Sequence, residues 1–223
     1  MKKTIEKEYT ETHIEEAVRE FILDDHPCVM AQSIVADDNL TICNYGVMSD
    51  IITHNKLIHD LEGYLKDVQS DSMKFQTFIA VFENERFATE VEFENELWKL
   101  LHDLHKVDDS PWDKTTSSDP ESSKFSYSLL SDSFYLVGMH PESSRKARKA
   151  PFAMIVFNLH SQFELLRSAG RYKRVRNIIR RRDKAYQGAI NPMLEDFGTN
   201  SEARQYSGRA VDSSWKCPYN FDK

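Results

Sequence analysis

The chain has 223 residues, with 29 Lys or Arg against 36 Asp or Glu and a net charge of −7. That length supports one domain, residues 1–223 with a core over about 12–220, and 40% apolar with 29% charged residues is ordinary for a soluble protein. No run reaches the ~18 apolar residues of a membrane helix, no apolar signal-peptide core opens the chain, and three cysteines without CxxC or CxxCH argue against a disulfide framework or covalent haem. A cytoplasmic protein that stays off membranes is expected.

Thr12-His-Ile-Glu15 has the form of a capping box, and Ile14, Ala17, Val18, Phe21 and Ile22 recur at helical spacing, which predicts a helix over 12–24. After Pro27, Cys28–Val35 reads as a strand, Asp37-Asp38-Asn39 as a turn and Leu40–Tyr45 as the hairpin partner. Leu57, Ile58, Leu61, Tyr64, Leu65 and Val68 mark a second amphipathic helix. Phe75–Glu83 is strongly strand-like, and 89–106 is a third helix with Phe93, Leu97, Leu100, Leu101 and Leu104 on one face. His102 and His105, among acidic neighbours, read as packing residues. Asp108–Ser123 is a polar loop that Trp112 can pin to the core. Phe125–Leu130 and Phe134–Met139 form a hairpin around Ser131-Asp132, and Phe152–Leu159 adds a strand. Phe163–Arg182 is a helix interrupted at Ala169-Gly170. The rest, from Gln187 to Tyr219, lacks periodicity and suits a wall around a site. The fold class is α+β, a mostly antiparallel sheet with flanking helices and a long irregular C-terminal segment.

Dinucleotide, P-loop, nucleophile-elbow and zinc motifs are absent, which removes the support for those chemistries. Charge is concentrated instead. Residues 145–182 hold twelve Arg or Lys and a single acid, Glu164, inside an acidic protein, which points to a local anionic ligand. The basic helix 171–182 could face nucleic acid, but its apolar spacing and the acidic total favour a solvated helix face, so a nucleic-acid partner is not expected. His140 and His160 each end an apolar strand beside these cations. An imidazole next to Ser143, Ser144, Arg145 and Arg148 suits haem, whose propionates need such donors near a metal ligand.

The blocks Pro27-Cys28, Gly138-Met-His-Pro-Glu-Ser-Ser-Arg145, Val156-Phe-Asn-Leu-His-Ser-Gln-Phe-Glu164, Gln187–Leu194, Ser201–Arg209 and Trp215-Lys-Cys-Pro-Tyr219 resemble the YqcI/YcgG family over roughly residues 20–220. Its FPC and CPF motifs stand here as His26-Pro-Cys28 and Cys217-Pro-Tyr219, with each phenylalanine replaced. Some members are haem-dependent N-hydroxylases of guanidino groups. The resemblance therefore implies haem b with O2 or peroxide as oxidant, an external electron donor and a small amine or guanidine substrate. A haem-binding or haem-sensing protein without turnover is the alternative, and a homodimer stays open. On this reading His140 is the iron ligand, with His160 the alternative or a distal group and Cys28 or Cys217 a third choice. Ser143, Ser144, Arg145 and Arg148 hold propionates. Glu202, Asn191 and Gln205 face a cationic substrate.

Overall fold

Strands that are apolar on every residue need cover on both faces, and the two most apolar runs occupy the middle of the sheet. In the computed structural model, which describes residues 9–70, 75–193 and 195–221, five strands lie in the order β1-β2-β5-β4-β3. They are β1 Leu40–Asn44, β2 Thr77–Phe82, β3 Tyr127–Leu129, β4 Asp132–Met139 and β5 Ala153–Leu159. All six residues of β2 are buried. β2 pairs antiparallel with β5, β5 with β4 and β4 with β3, whereas β1 runs parallel to β2. The α+β class therefore holds, with one parallel edge.

That edge corrects the sequence reading twice. Residues 28–35 form a helix, α2 (Val29–Ala36), not a strand, so Leu40–Asn44 has no hairpin partner there. A short apolar run reads equally well as a buried strand or helix, and here the Cys28 side chain accepts from Ala31 N and caps the helical form. β1 reaches β2 through α3 (Ile51–Ser70), the crossover that parallel pairing requires. The first helix, α1 (Glu11–Leu23), is capped by Thr10, whose hydroxyl accepts from His13 N, and Thr12 lies within its first turn. α4 (Glu90–Val107) starts at Thr89. The β3–β4 hairpin turns on Leu130 and Ser131, both at positive φ. The long basic helix is broken as expected: α5 (His160–Ser168) stops at Ala169, Gly170 turns at φ +67, and α6 (Tyr172–Gln187) follows. One helical turn, α7 (Ala203–Tyr206), interrupts the C-terminal segment.

Side-chain alternation divides the sheet into two faces. Phe78, Ala80, Phe82, Phe134, Leu136, Ala153, Ile155 and Phe157 point to α3, α4 and the chain end, where Trp98, Tyr206 and Phe221 complete an aromatic core. Trp112 pins its loop to that core through Phe125 and Phe221, and His105 packs edge-on against the same pair of rings, Trp112 and Phe221. Gly138 is required on this face. A Cβ there would lie 2.7 Å from Leu97 and 2.8 Å from both Phe93 and the Tyr206 carbonyl. The opposite face carries Ile42, Ile79, Val81, Val137, Met139, Met154 and Val156 against α1 and Val35 of α2. No helix among the described residues is long and apolar enough to cross a membrane.

Candidate functional site

The second face leaves a cavity of about 290 Å³ between the sheet, the end of α1, α2, α5, α6 and the side chains of Asn191, Glu195, Asp196, Phe197 and Glu202. Its floor is Ile79, Val137, Met154 and Val156, and its walls add Ile22, Ile34, Leu166, Val175 and Ile179. Five arginines border it: Arg145, Arg148, Arg167, Arg176 and Arg180. Large apolar volume with a few convergent polar groups is the usual build of a small-molecule site.

The arginines are held differently. Arg145 donates to both carboxylate oxygens of Asp183 at 2.7 and 2.8 Å, and Asp183 also accepts from Asn191 N. Arg176 is paired with Asp196. Arg148 is buried at 7% exposure and donates to the carbonyls of Gly138 (2.9 Å), Gln205 (3.4 Å) and Tyr206 (3.5 Å). Among the described residues no carboxylate lies within ion-pair distance of it. A buried guanidinium satisfied only by carbonyls is an uncompensated charge, and burial pulls its affinity for the proton down.

Three further groups face the space. Cys28 stands at the N-cap of α2, its Sγ 3.5 Å from Ala31 N, and burial pushes its thiol up, while Arg148 and Arg182 act in the opposite direction. His26 lines the cavity with both ring nitrogens engaged: Nε2 donates to Ala147 O (3.0 Å) and Nδ1 accepts from Cys28 N (3.2 Å). Arg182 fixes the same turn by donating to His26 O and Gln32. Glu202 is 5% exposed beside Tyr206 Oη (3.3 Å), and burial raises its carboxyl to about 8.

The structure brings together Cys28, Arg145, Arg148, Asn191 and Glu202 around this cavity, and leaves His140, Ser143, Ser144, His160, Gln205 and Cys217 outside its lining. Gln205 sits one step behind, accepting from the cavity residue Tyr135 (2.9 Å). His140 lies on the packed face, stacked on Phe93 at 4.5 Å and edge-on to Phe87. Ser143 is buried and its N–H donates to the His140 carbonyl, and Ser144 donates to Glu90 rather than toward the cavity. His160 starts α5, contacts Glu164 at 3.3 Å and packs against Phe197. The expected second wall is half present. Asn191, Glu195, Asp196, Phe197 and Glu202 line the cavity, whereas Trp215 and Phe221 pack on Trp98 across the sheet. Tyr135 was not singled out from sequence, Tyr172 was read only as part of a helix's inner stripe, and His26 entered only as the first residue of the His26-Pro-Cys28 motif.

The family model for the YqcI/YcgG family matches residues 15–220. The chain belongs to the YqcI/YcgG family. The match spans both faces of this family member's sheet and every cavity-lining element. No curated protein and no solved structure matches the chain.

Proposed function

We propose that the cavity of this YqcI/YcgG protein holds haem b and that the protein is an oxygenase, N-hydroxylating a small amine or guanidine with O2 or peroxide and external electrons. The observation that carries the reading is the donor set. Aliphatic walls suit the faces of a macrocycle, and a cationic border with the uncompensated Arg148 suits its carboxylates. Arg145 and Arg148 are the propionate candidates on this wall.

On this reading Cys28, rather than either strand-end histidine, would hold the iron. His140 and His160 lie outside the cavity and the His26 nitrogens are occupied, which leaves the Cys28 thiol at a helix N-terminus, within the electrostatic influence of Arg148 and Arg182. A coordinating thiol is deprotonated outright, so its raised proton affinity is no bar. Bound there, thiolate-ligated haem supplies oxygen activation. The chain's own residues orient and exclude water. The substrate class gains support at the α5–α6 end. The Arg167 guanidinium lies 4.5 Å from the Tyr172 ring centre and 5.7 Å from Phe197, an internal example of a planar cation on aromatic faces.

Hemin titration of the full chain tests this. The expected result is a Soret band that shifts or vanishes in Cys28→Ser and persists in His140→Ala. Refusal of hemin by the unmodified protein would sink the haem reading, and loss confined to His140→Ala would return the ligand to the end of β4. Loaded protein with reductant, O2 and a panel of amines and guanidines should yield hydroxylated nitrogen. Absence of product across the panel favours a haem carrier or sensor.

A further inference from the structure

We propose that Glu202 is the proton donor of the cavity, a neutral carboxylic acid that gives its proton to oxygen being reduced there and recovers one from water. The role rests on the oxygenase reading. Hydroxylating N–H with O2 breaks the N–H and O–O bonds, places one oxygen on nitrogen and turns the other into water. Two electrons from an external one-electron donor and two protons balance the step, and a dry cavity must be supplied with those protons from its own wall.

Geometry singles out Glu202. The other buried carboxyl on the wall, Asp183, is paired with Arg145, and half-buried Asp196 with Arg176. Among the described residues no ion pair reaches Glu202, which accepts a hydrogen bond from Tyr206 Oη (3.3 Å) and interacts with the Ser126 hydroxyl. The ionisable groups facing it are Tyr206 from α7, Tyr135 from β4, and Arg167 and Glu164 from α5, the last two paired with each other. Burial outweighs them, so the carboxyl keeps its proton to about 8. Tyr206 and Tyr135 are pushed above the usual phenol range and cannot serve. Burial also disfavours the protonated form of His26. A carboxylic acid held neutral at pH 7 is suited to donating a proton or a hydrogen bond.

Infrared difference spectra of the full chain between pH 6 and pH 10 give the first test. A protonated-carboxyl C=O band should disappear with a midpoint near 8, be absent in Glu202→Gln and remain in Glu202→Asp. In haem-loaded enzyme the rate should fall as pH rises through that midpoint. Glu202→Gln should lose the alkaline limb, run roughly 10²-fold slower and release more hydrogen peroxide per O2 consumed, with partial rescue in Glu202→Asp. An ionised Glu202 at pH 7, or a Gln variant with unchanged rate, pH profile and peroxide yield in a protein that does bind hemin, overturns this role alone. A protein that refuses hemin overturns the role together with the function, while the infrared band still reads the protonation of Glu202.

Discussion

The two faces of the sheet are made by the same strands and are built to opposite ends. On β2, Phe78 and Phe82 point to α3 and α4, while Thr77, Ile79 and Val81 point to α1 and α2; on β5, Phe157 and Ile155 oppose Met154 and Val156. The aromatic face closes completely, with Trp98, Phe78 and Phe157 fully buried. The aliphatic face uses smaller or unbranched side chains and leaves space. Close packing is the norm for interiors, so a face that alternates out of register with the packed one yet stays open is where function is to be sought.

Paired substitutions can break that contrast. Ile155→Ala on the closed face and Ile79→Ala on the open one remove the same atoms from neighbouring strands. The first creates a new void and should cost about 4 kcal/mol, and the second enlarges an existing space and should cost about 2 kcal/mol. Urea unfolding reads both, and equal losses would show that the open face is not open in solution.

Glu202→Gln should act in the other direction. Its carboxyl binds a proton to about 8 in the folded chain but only to the ordinary glutamate value of 4.5 when unfolded. A raised carboxyl costs stability as pH climbs from the unfolded value, the cost levelling off above the folded one. Removing the titration should therefore add about 3 kcal/mol at pH 7 and nothing near pH 4. A variant no more stable than the parent at pH 7 would mean that this end of the cavity is wetter than its burial implies. Arg148→Met lies next in size. It removes a buried charge but strips the Gly138, Gln205 and Tyr206 carbonyls of a donor, a net loss of about 2 kcal/mol. Hemin affinity should fall with it, and a rise in affinity would argue that Arg148 serves only the carbonyls.

Much of the closed face was legible in sequence and little of the open one. Phe75–Glu83, Phe152–Leu159 and the α4 stripe announce themselves because burial imposes a period on apolar residues. The Ala169-Gly170 break does so because glycine tolerates φ > 0. Val29–Ala36 has no such signal. Eight mostly apolar residues fit a buried strand as well as a helix, and misplacing them hid the turn on which Cys28 sits. The cavity itself is a difference of side-chain volumes summed over elements far apart in the chain, which no local pattern encodes. The arginines were readable as a call for an anion. Whether His140 or His160 faces them was not, because a strand-end histidine can turn to either face.

His140 makes the smallest test and the sharpest, since it carried the sequence-based assignment. It is 1% exposed and stacked on Phe93, and neither ring nitrogen has a protein partner. Burial lowers its proton affinity more than Glu90 and Glu142 raise it. The folded chain therefore favours the neutral ring more than the unfolded chain does, which protonates below about 6.5. Its share of stability is present above that value and lost as pH falls through it, as it is for His26 and His160, whose affinities burial also lowers. His140→Phe fills nearly the same volume on the aromatic face. At pH 7.5 it should change stability by less than about 1 kcal/mol, and between pH 6.5 and pH 5 it should make the acid loss shallower by up to ~1.4 kcal/mol per pH unit. Chemical unfolding across that range measures the slope, and hemin titration of the same variant reads the iron. An unchanged slope would show that His140 is solvated in the folded chain. A shallower slope with a preserved Soret band would make the ring a packing element of the closed face and leave the open face to bind the cofactor.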